Sequence, residues 1–372
     1  MEIRLVDEAE AIGRISCAEF ARAWDQLHSD CPWATAFQSR GFASAWYESY
    51  GESKAPLLVL GEGDGGLQGL LLLARDRATG ELVNLGAHQA EYHCWLADAA
   101  SSDRFIVMAL DRLRDAYPKA ALRFRYLPPD VPTGWLPANP RLAQLAEQRS
   151  VPRPLLELGD EAGFTEKLRK KGNRSRLNRL RDSCGGEPAG SAIIDAAELD
   201  DAIDEIASEY DRRQGEMNAV RPFAEDPHKR GFHLALLREG LLHAYVVKAG
   251  GRYVAAILSI RNRDALSVGI FSHAADLADF SPGKFAMLML ARDAARQGFR
   301  FIDLTPGGDW KERFASSFDH VTELTFRFCP KQSARIARRR RIETSAKRIL
   351  ASVGLTPEHV RSLGRRVAAL RR

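Results

Sequence analysis

Between residues 241 and 304 the apolar positions change their spacing several times, and each change predicts an element. Dense apolar runs on either side of Gly250-Gly251 predict two strands joined by a tight turn, because two glycines tolerate the positive φ that such hairpins require. A third strand follows over 265–273, then a helix opened by Ser281-Pro282-Gly283 and ended by Gly298, then a strand over 299–304. The Ser281 hydroxyl is expected to cap the helix, and Pro282 fits the first turn, where its missing N–H is not needed. Gly283 removes a side chain at the exposed helix start, where unpaired N–H groups and partial positive charge suit a phosphate. The segment therefore reads as a sheet feeding a helix that accepts a nucleotide-like cofactor.

The same pattern is present more faintly upstream. Residues 57–75 repeat the strand, glycine turn and strand of 243–261 at an offset of 186. A Ser-led helix from Ser101 and a strand ending in a Pro loop repeat the later helix and strand at an offset of about 178. Near-constant offsets predict duplication of one unit. Between the copies, 140–159 reads as a Pro-rich crossing. It leads into a basic stretch with Phe164, Leu168, Leu177 and Leu180 on helical spacing, divided near Gly172 and Asn173. A helix over 196–216 carries Leu199, Ile203, Ile206 and Tyr210 on one stripe, and a shorter one ends at Gly240. The expected domains are 1–150, a linker with a basic helix over 151–195, 196–330, and a tail over 331–372. Two short amphipathic helices with arginine-covered outer faces are expected in that tail.

A chain of 372 residues is long enough for two full cores. Its formal charge of +5 is unevenly placed: residues 331–372 hold 13 Lys and Arg against Glu343 and Glu358, so the body before them is mildly acidic. Five widely spaced cysteines without a Cys-x-x-Cys pair point to a reducing compartment. No apolar run approaches a membrane span, and the acidic N-terminal stretch lacks a signal-peptide layout. A cytoplasmic protein is expected, with the tail available to an anionic inner-membrane surface or an acidic partner.

The ordered set Ser281-Pro282-Gly283, Gly298, Phe301-Ile302-Asp303-Leu304, and Gly308 followed by Trp310, Lys311 and Phe314 resembles the GNAT acyltransferase core. In finer detail it resembles the GNAT-like domain of the CelD family of cellulose and exopolysaccharide production, and more distantly the Fem aminoacyl transferases. One departure is that the usual pyrophosphate loop, Arg or Gln followed by Gly-x-Gly or Gly-x-Ala, is absent. The resemblance implies an α/β (α+β) fold of tandem GNAT-like domains, each a mixed, mainly antiparallel sheet flanked by helices. The C-terminal copy would act and the N-terminal one would be degenerate, since Asp103 in the first copy's helix start repels phosphate.

The resemblance further implies acetyl-CoA or another acyl-CoA as co-substrate, held at Ser281, Gly283 and Lys284, with the carbonyl near the backbone of Gly269. It places Lys311 beside the acyl centre and Tyr210, Arg212 and Arg213 along the acceptor cleft. Tyr92, on a loop expected to face the acceptor, and Trp310 join that set. Asp303 shares a strand face with Phe299 and Phe301, which makes it a candidate for acceptor binding or proton removal; capping of the next loop is the alternative. His273 is a candidate base or a turn histidine. Lys284 and Lys311 could equally be solvated lysines, and the two arginines could simply favour a helix C-terminus. His88, Glu91, Tyr92, His93 and Cys94 crowd one loop without the spacing of a ligand set, so no metal is expected. The absence of Gly-x-Ser-x-Gly or a Cys/His pair favours direct attack on the thioester.

The function expected from this reading is acyl-CoA-dependent N- or O-acyl transfer to a sugar or nucleotide-sugar precursor of an envelope polysaccharide. Two alternatives stay open: Fem-like transfer from aminoacyl-tRNA, and a catalytically silent scaffold of a membrane-associated polysaccharide complex. Nucleic acid is expected as a partner only if tRNA is the donor.

Overall fold

A computed structural model describes residues 1–329 of the chain. The helices expected over 331–372, and the membrane or acidic-partner role assigned to them, lie outside the described residues.

The first half opens with β1 (Glu2–Asp7), α1 (Glu8–Ile15), α2 (Ala18–Asp30) and α3 (Arg40–Tyr50). The predicted hairpin follows as β2 (Lys54–Gly63) and β3 (Gly66–Asp76). Its third strand is broken into β4 (Leu82–Asn84) and β5 (Leu96–Ala97), with a loop over 85–95 between them. Next come α4 (Ser102–Ala116) and β6 (Ala121–Leu127), then two short turns of helix, α5 (Trp135–Ala138) and α6 (Pro140–Ala143). Gly61 and Gly69 face each other across β2 and β3. A Cβ on Gly69 would stand 2.3 Å from the ring of Phe105, so the missing side chains let α4 press its buried phenyl onto the sheet.

The second half runs β7 (Ala146–Glu157), α7 (Glu161–Arg169), α8 (Lys171–Cys184), β8 (Ala189–Ile193), α9 (Ala196–Asn218) and α10 (Lys229–Arg238). The duplicated unit follows as β9 (Leu242–Ala249), β10 (Arg252–Asn262), β11 (Ala265–His273), α11 (Pro282–Arg296) and β12 (Phe301–Asp303), and β13 (Ser317–Arg327) comes last. Gly250 and Gly251 both take positive φ, 57° and 78°, as the tight β9–β10 turn requires.

The strands form two sheets of mixed or antiparallel pairing flanked by helices: β1-β2-β3-β4 with β5 on β3, and β6-β13-β7-β12-β11-β10-β9-β8. Here the structure corrects the sequence reading. The Pro-rich crossing is not a linker: β7 spans the expected boundary at 150/151 and lies between β13 and β12. Pro154 turns its carbonyl toward the Leu304 N–H (3.1 Å), so its missing N–H falls on the side where β12 has ended. Pro152, two residues back, faces the same way, and the ladder to β13 is spared. Likewise β6, from the first copy, joins the second sheet beside β13.

One buried core runs through both halves: Trp24, Trp46, Trp95, Phe42 and Phe105 belong to its first-half part, and Phe285, Leu290, Ile257 and Val247 to its second-half part. No helix among the described residues is long and apolar enough to cross a membrane.

Candidate active site

The site starts where two parallel strands separate. β11 and β12 pair at Ala265–Phe301, Leu266–Ile302 and Ser267–Asp303. β11 then continues to His273, while Leu304 bonds across to β7. On its other side β11 carries a bulge: Ile270 pairs with Leu258 and Val268 with Ser259, leaving Gly269 without a partner. The strand twists away at that residue. Thr305 marks the fork, with its hydroxyl donating to the Val268 carbonyl (3.4 Å). Its φ of 60° is uncommon for a β-branched residue, and Gly307 and Gly308 at 83° and 85° continue the sharp loop.

Beyond the fork lies a cavity of about 690 Å³, walled by the end of β11, the start of α11, α7–α8 and the helical turn Asp309–Arg313. Leu156, Phe271, Leu288, Trp310 and Phe314 supply its apolar lining. Its cations are Lys167, Lys170, Arg213, Lys284 and Arg313, and no carboxylate among the described residues lines it. Among the described residues none of the five is ion-paired, whereas arginines elsewhere on this protein are commonly bridged to carboxylates. Lys284 Nζ donates to Asn173 Oδ1 (2.8 Å), tying α11 to α8, and Arg213 donates to the Phe271 carbonyl (3.0 Å). The Arg213 guanidinium also lies against the Phe271 and Trp310 rings, 5.5 and 5.6 Å away.

Gly283 is needed here for space. A Cβ on it would lie 2.8 Å from the tip of Phe271 and 3.6 Å from His273. Ser281 does not cap α11 as expected: it adopts a left-handed conformation (φ 59°) and its side chain makes no cap bond. The turn before it, Ala275–Phe280, runs into α11 through this left-handed residue. By its position in the first turn, the N–H of Gly283 has no intrahelical acceptor.

At the fork itself sits a buried charge cluster. Asp303 is 1 % exposed. One oxygen accepts from Tyr92 Oη (2.6 Å) and from Arg153 Nη1 (3.4 Å); the other accepts from the Thr305 N–H (2.8 Å). Burial pushes its carboxyl up from the ordinary aspartate value, against the opposing pull of Arg153 and the Tyr92 hydrogen bond. Lys311 directs all three ammonium protons into the loop: to Thr305 O (2.9 Å), Thr305 Oγ1 (2.8 Å) and Pro306 O (3.3 Å). Burial pulls its pKa down to about 8, with Glu91 and Asp303 opposing. Glu91 has one weak partner, Arg125 at 3.5 Å, and burial raises its carboxyl against Arg125 and Lys311.

The expected site residues therefore divide. Ser281, Gly283, Lys284, Arg213, Trp310 and His273 border the cavity, and Gly269 is at the bulge above the fork. His273 stands six residues past Ser267, about 20 Å along the strand from the level of Asp303, so it flanks the α11 terminus and not the fork. Asp303 is locked by three donors and is not open to an acceptor. Tyr92, expected to face the acceptor, is fully buried as one of those donors. Arg212 is bridged to Glu209 and Glu216 on its own helix (3.0 and 2.7 Å), turned from the cavity, and Tyr210 packs edge-on to Phe223. Missing from the sequence reading were Arg153, Lys167, Lys170 and Arg313, and Glu91 figured there only as one of five residues crowding a loop. Lys167 and Lys170 are spaced i, i+3 near the end of one helix, a usable signal; Arg153, between two prolines, offered none. No group of three or more metal-ligating side chains is assembled among the described residues.

Residues 167–316 match the family model described as an acetyltransferase (GNAT) domain, so the second half of the chain carries a GNAT-fold domain. No curated protein matches the chain. Several solved structures share its fold. The chain is similar to a conserved protein of unknown function from Bacteroides thetaiotaomicron VPI-5482, with TM-score 0.53 and 9 % identity over 82 % of this chain and 97 % of that one. It is also similar to FemX, with TM-score 0.53 and 12 % identity over 83 % and 94 %. A third is L-PGS from Bacillus licheniformis, with TM-score 0.50 and 10 % identity over 85 % and 96 %.

Proposed function

We propose that this chain is an acyltransferase taking its acyl group from an acyl-CoA, with the donor's phosphates in the cationic cavity and its acyl end at the fork between β11 and β12. The observation that carries this reading is the set of five unpaired cations around the free start of α11, with an apolar lining leading inward. The residues fit such a donor: Lys284, Lys167, Lys170 and Arg313 with the Gly283 N–H suit phosphates, and Phe271, Trp310 and Leu288 suit an uncharged arm. The donor supplies a thioester carbonyl for attack by an amine or hydroxyl. On the protein's side, the bulged backbone at Gly269 is where the resemblance puts the donor's carbonyl, and the Lys311-clamped loop fixes the opposite wall. Glu91, whose lone pairs are the least engaged of the cluster, takes the acceptor's proton. An acetyl donor and a sugar or nucleotide-sugar acceptor of envelope polysaccharide synthesis, as the sequence resemblance implies, belong to this proposal.

A second reading is favoured by α8. Arg169, Lys171, Arg174 and Arg179 line a separate shallow basic depression, which suits a donor with an extended phosphate backbone such as aminoacyl-tRNA. Calorimetry on the full chain separates the two. Micromolar binding of coenzyme A that weakens with salt, with little affinity for tRNA, is the expected result. No coenzyme A binding at millimolar concentration sinks the first reading, and tight tRNA binding in its place establishes the second.

A pH prediction follows from the cluster. Turnover is expected to fall as pH rises through about 8, where Lys311 loses a proton and one bond to the loop. Glu91, raised above the usual carboxylate value, sets the acidic limb. The sign for stability is opposite. From about pH 8 to the ordinary lysine value the unfolded chain holds the extra proton, so this lysine's contribution to stability rises with pH there. In Lys311→Met the alkaline limb should vanish, and in Glu91→Gln kcat should drop by about 100-fold with donor affinity kept. An alkaline limb unchanged in Lys311→Met removes the lysine from the mechanism.

A further inference from the structure

The first copy of the repeated unit also differs from the second where its strands would close on each other. In the second copy β11 and β12 close on each other over three residues before they fork. Their counterparts β4 and β6 share no backbone pairing, and a cavity of about 1130 Å³ opens between them. Two buried side chains satisfy the edge of β6 that faces this opening. Asn84 Nδ2 donates to the Arg123 carbonyl (2.8 Å), and His93 Nδ1 accepts from the Arg125 N–H (3.1 Å). Asn84 and His93 are 4 % and 5 % exposed. Because Nδ1 accepts, the ring proton sits on Nε2, and that buried N–H has no partner of full hydrogen-bond geometry among the described residues, only a weak pull from the Ala87 backbone. A buried unpaired donor beside a cavity calls for an acceptor from outside.

The chemistry of the walls narrows the ligand. Arg123 pairs with Glu323 and Arg125 with Glu91, which leaves Lys119 as the cation here without an ion pair among the described residues, against five in the donor cavity. Tyr117 and Tyr126 present aromatic surface, and Glu81 adds an acceptor. Planar donors and acceptors on several sides, phenol rings and a nearly balanced charge suit an uncharged polyhydroxylated ring. We propose that the opening between β4 and β6 is a saccharide-binding site large enough for more than one ring. Arg125 lines this opening and reaches Glu91, the group assigned the acceptor's proton. The bound saccharide is thereby the acceptor or its neighbouring unit; that clause rests on the transferase reading, whereas the binding itself does not.

The test uses the full chain, with cellobiose and chitobiose as probes, and glucose 1-phosphate and tetra-alanine as comparators, followed by saturation-transfer NMR and calorimetry. Expected is millimolar or tighter binding of a disaccharide, weakened at least about tenfold by Tyr117→Ala at the rim. His93→Phe, which removes the N–H, should weaken it similarly, with thermal denaturation confirming that both variants are folded. No disaccharide binding by the folded wild type overturns the proposal, as does binding indifferent to Tyr117→Ala, or binding of the phosphate or peptide alone. Disaccharide binding without acyl transfer upholds the site and overturns its acceptor role. Coenzyme A binding, measured on the same samples, reports on the donor reading separately.

Discussion

Lys284→Glu should weaken coenzyme A binding by about 100-fold or more while leaving the melting temperature nearly unchanged. Lys284 is the third residue of α11 and lines the cationic cavity, where its ammonium is free of any carboxylate among the described residues. The substitution removes one charge-assisted hydrogen bond and adds a repulsion at the same point, each worth about 1.5 kcal/mol or more. A glutamate in the first helical turn is favourable to the helix itself, so the fold is not the casualty. The first copy of the unit already carries Asp103 in the first turn of α4. Calorimetry at two salt concentrations checks the prediction: the variant should lose salt dependence along with affinity. Retained affinity would move the phosphates away from α11.

The second large effect concerns Asp303. Asp303→Ala is expected to lower stability by about 2–4 kcal/mol, because it leaves the buried Tyr92 hydroxyl and the Thr305 N–H without their acceptor, while Arg153 keeps its paired bonds to Asp319. Asp303→Asn keeps a carbonyl oxygen for one of these donors and should lose considerably less, while retaining measurable turnover. Denaturant unfolding and single-turnover acyl transfer separate this positioning role from a base. If Asp303 took the acceptor's proton, the asparagine variant would be as inactive as the alanine one at full stability. The structure argues for positioning: Tyr92 belongs to the loop over 85–95 of the first half and Arg153 to β7, so this carboxylate joins the halves at the fork.

The cavity residues and the charge cluster differ in how far the sequence revealed them. Ser281, Gly283, Lys284 and Trp310 were legible because they lie within or beside a repeating strand–helix–strand pattern, whose local spacing fixes where the helix begins. Arg213 was legible as a basic residue after an amphipathic helix, yet its neighbour Arg212 was not separable from it. The two differ by one helical step, about 100° of rotation, which turns one into the cavity and the other toward Glu209 and Glu216. Arg153, and the place of Glu91 in the charge cluster, were hidden for another reason. Each becomes functional through partners more than 30 residues away in sequence, and no local period records such distances.

By itself the sequence determined the two strand–helix–strand units, the Gly250–Gly251 turn and the place where α11 begins. These are local consequences of side-chain periodicity and of glycine and proline backbone geometry. The tertiary structure alone decided that the Pro-rich crossing is a strand within the larger sheet. It also decided that Asp303 is a buried joint, and that β4 and β6 stand apart where β11 and β12 meet. Those outcomes depend on which strand edges come together and which charges are desolvated when they do, and both are set by contacts between distant parts of the chain.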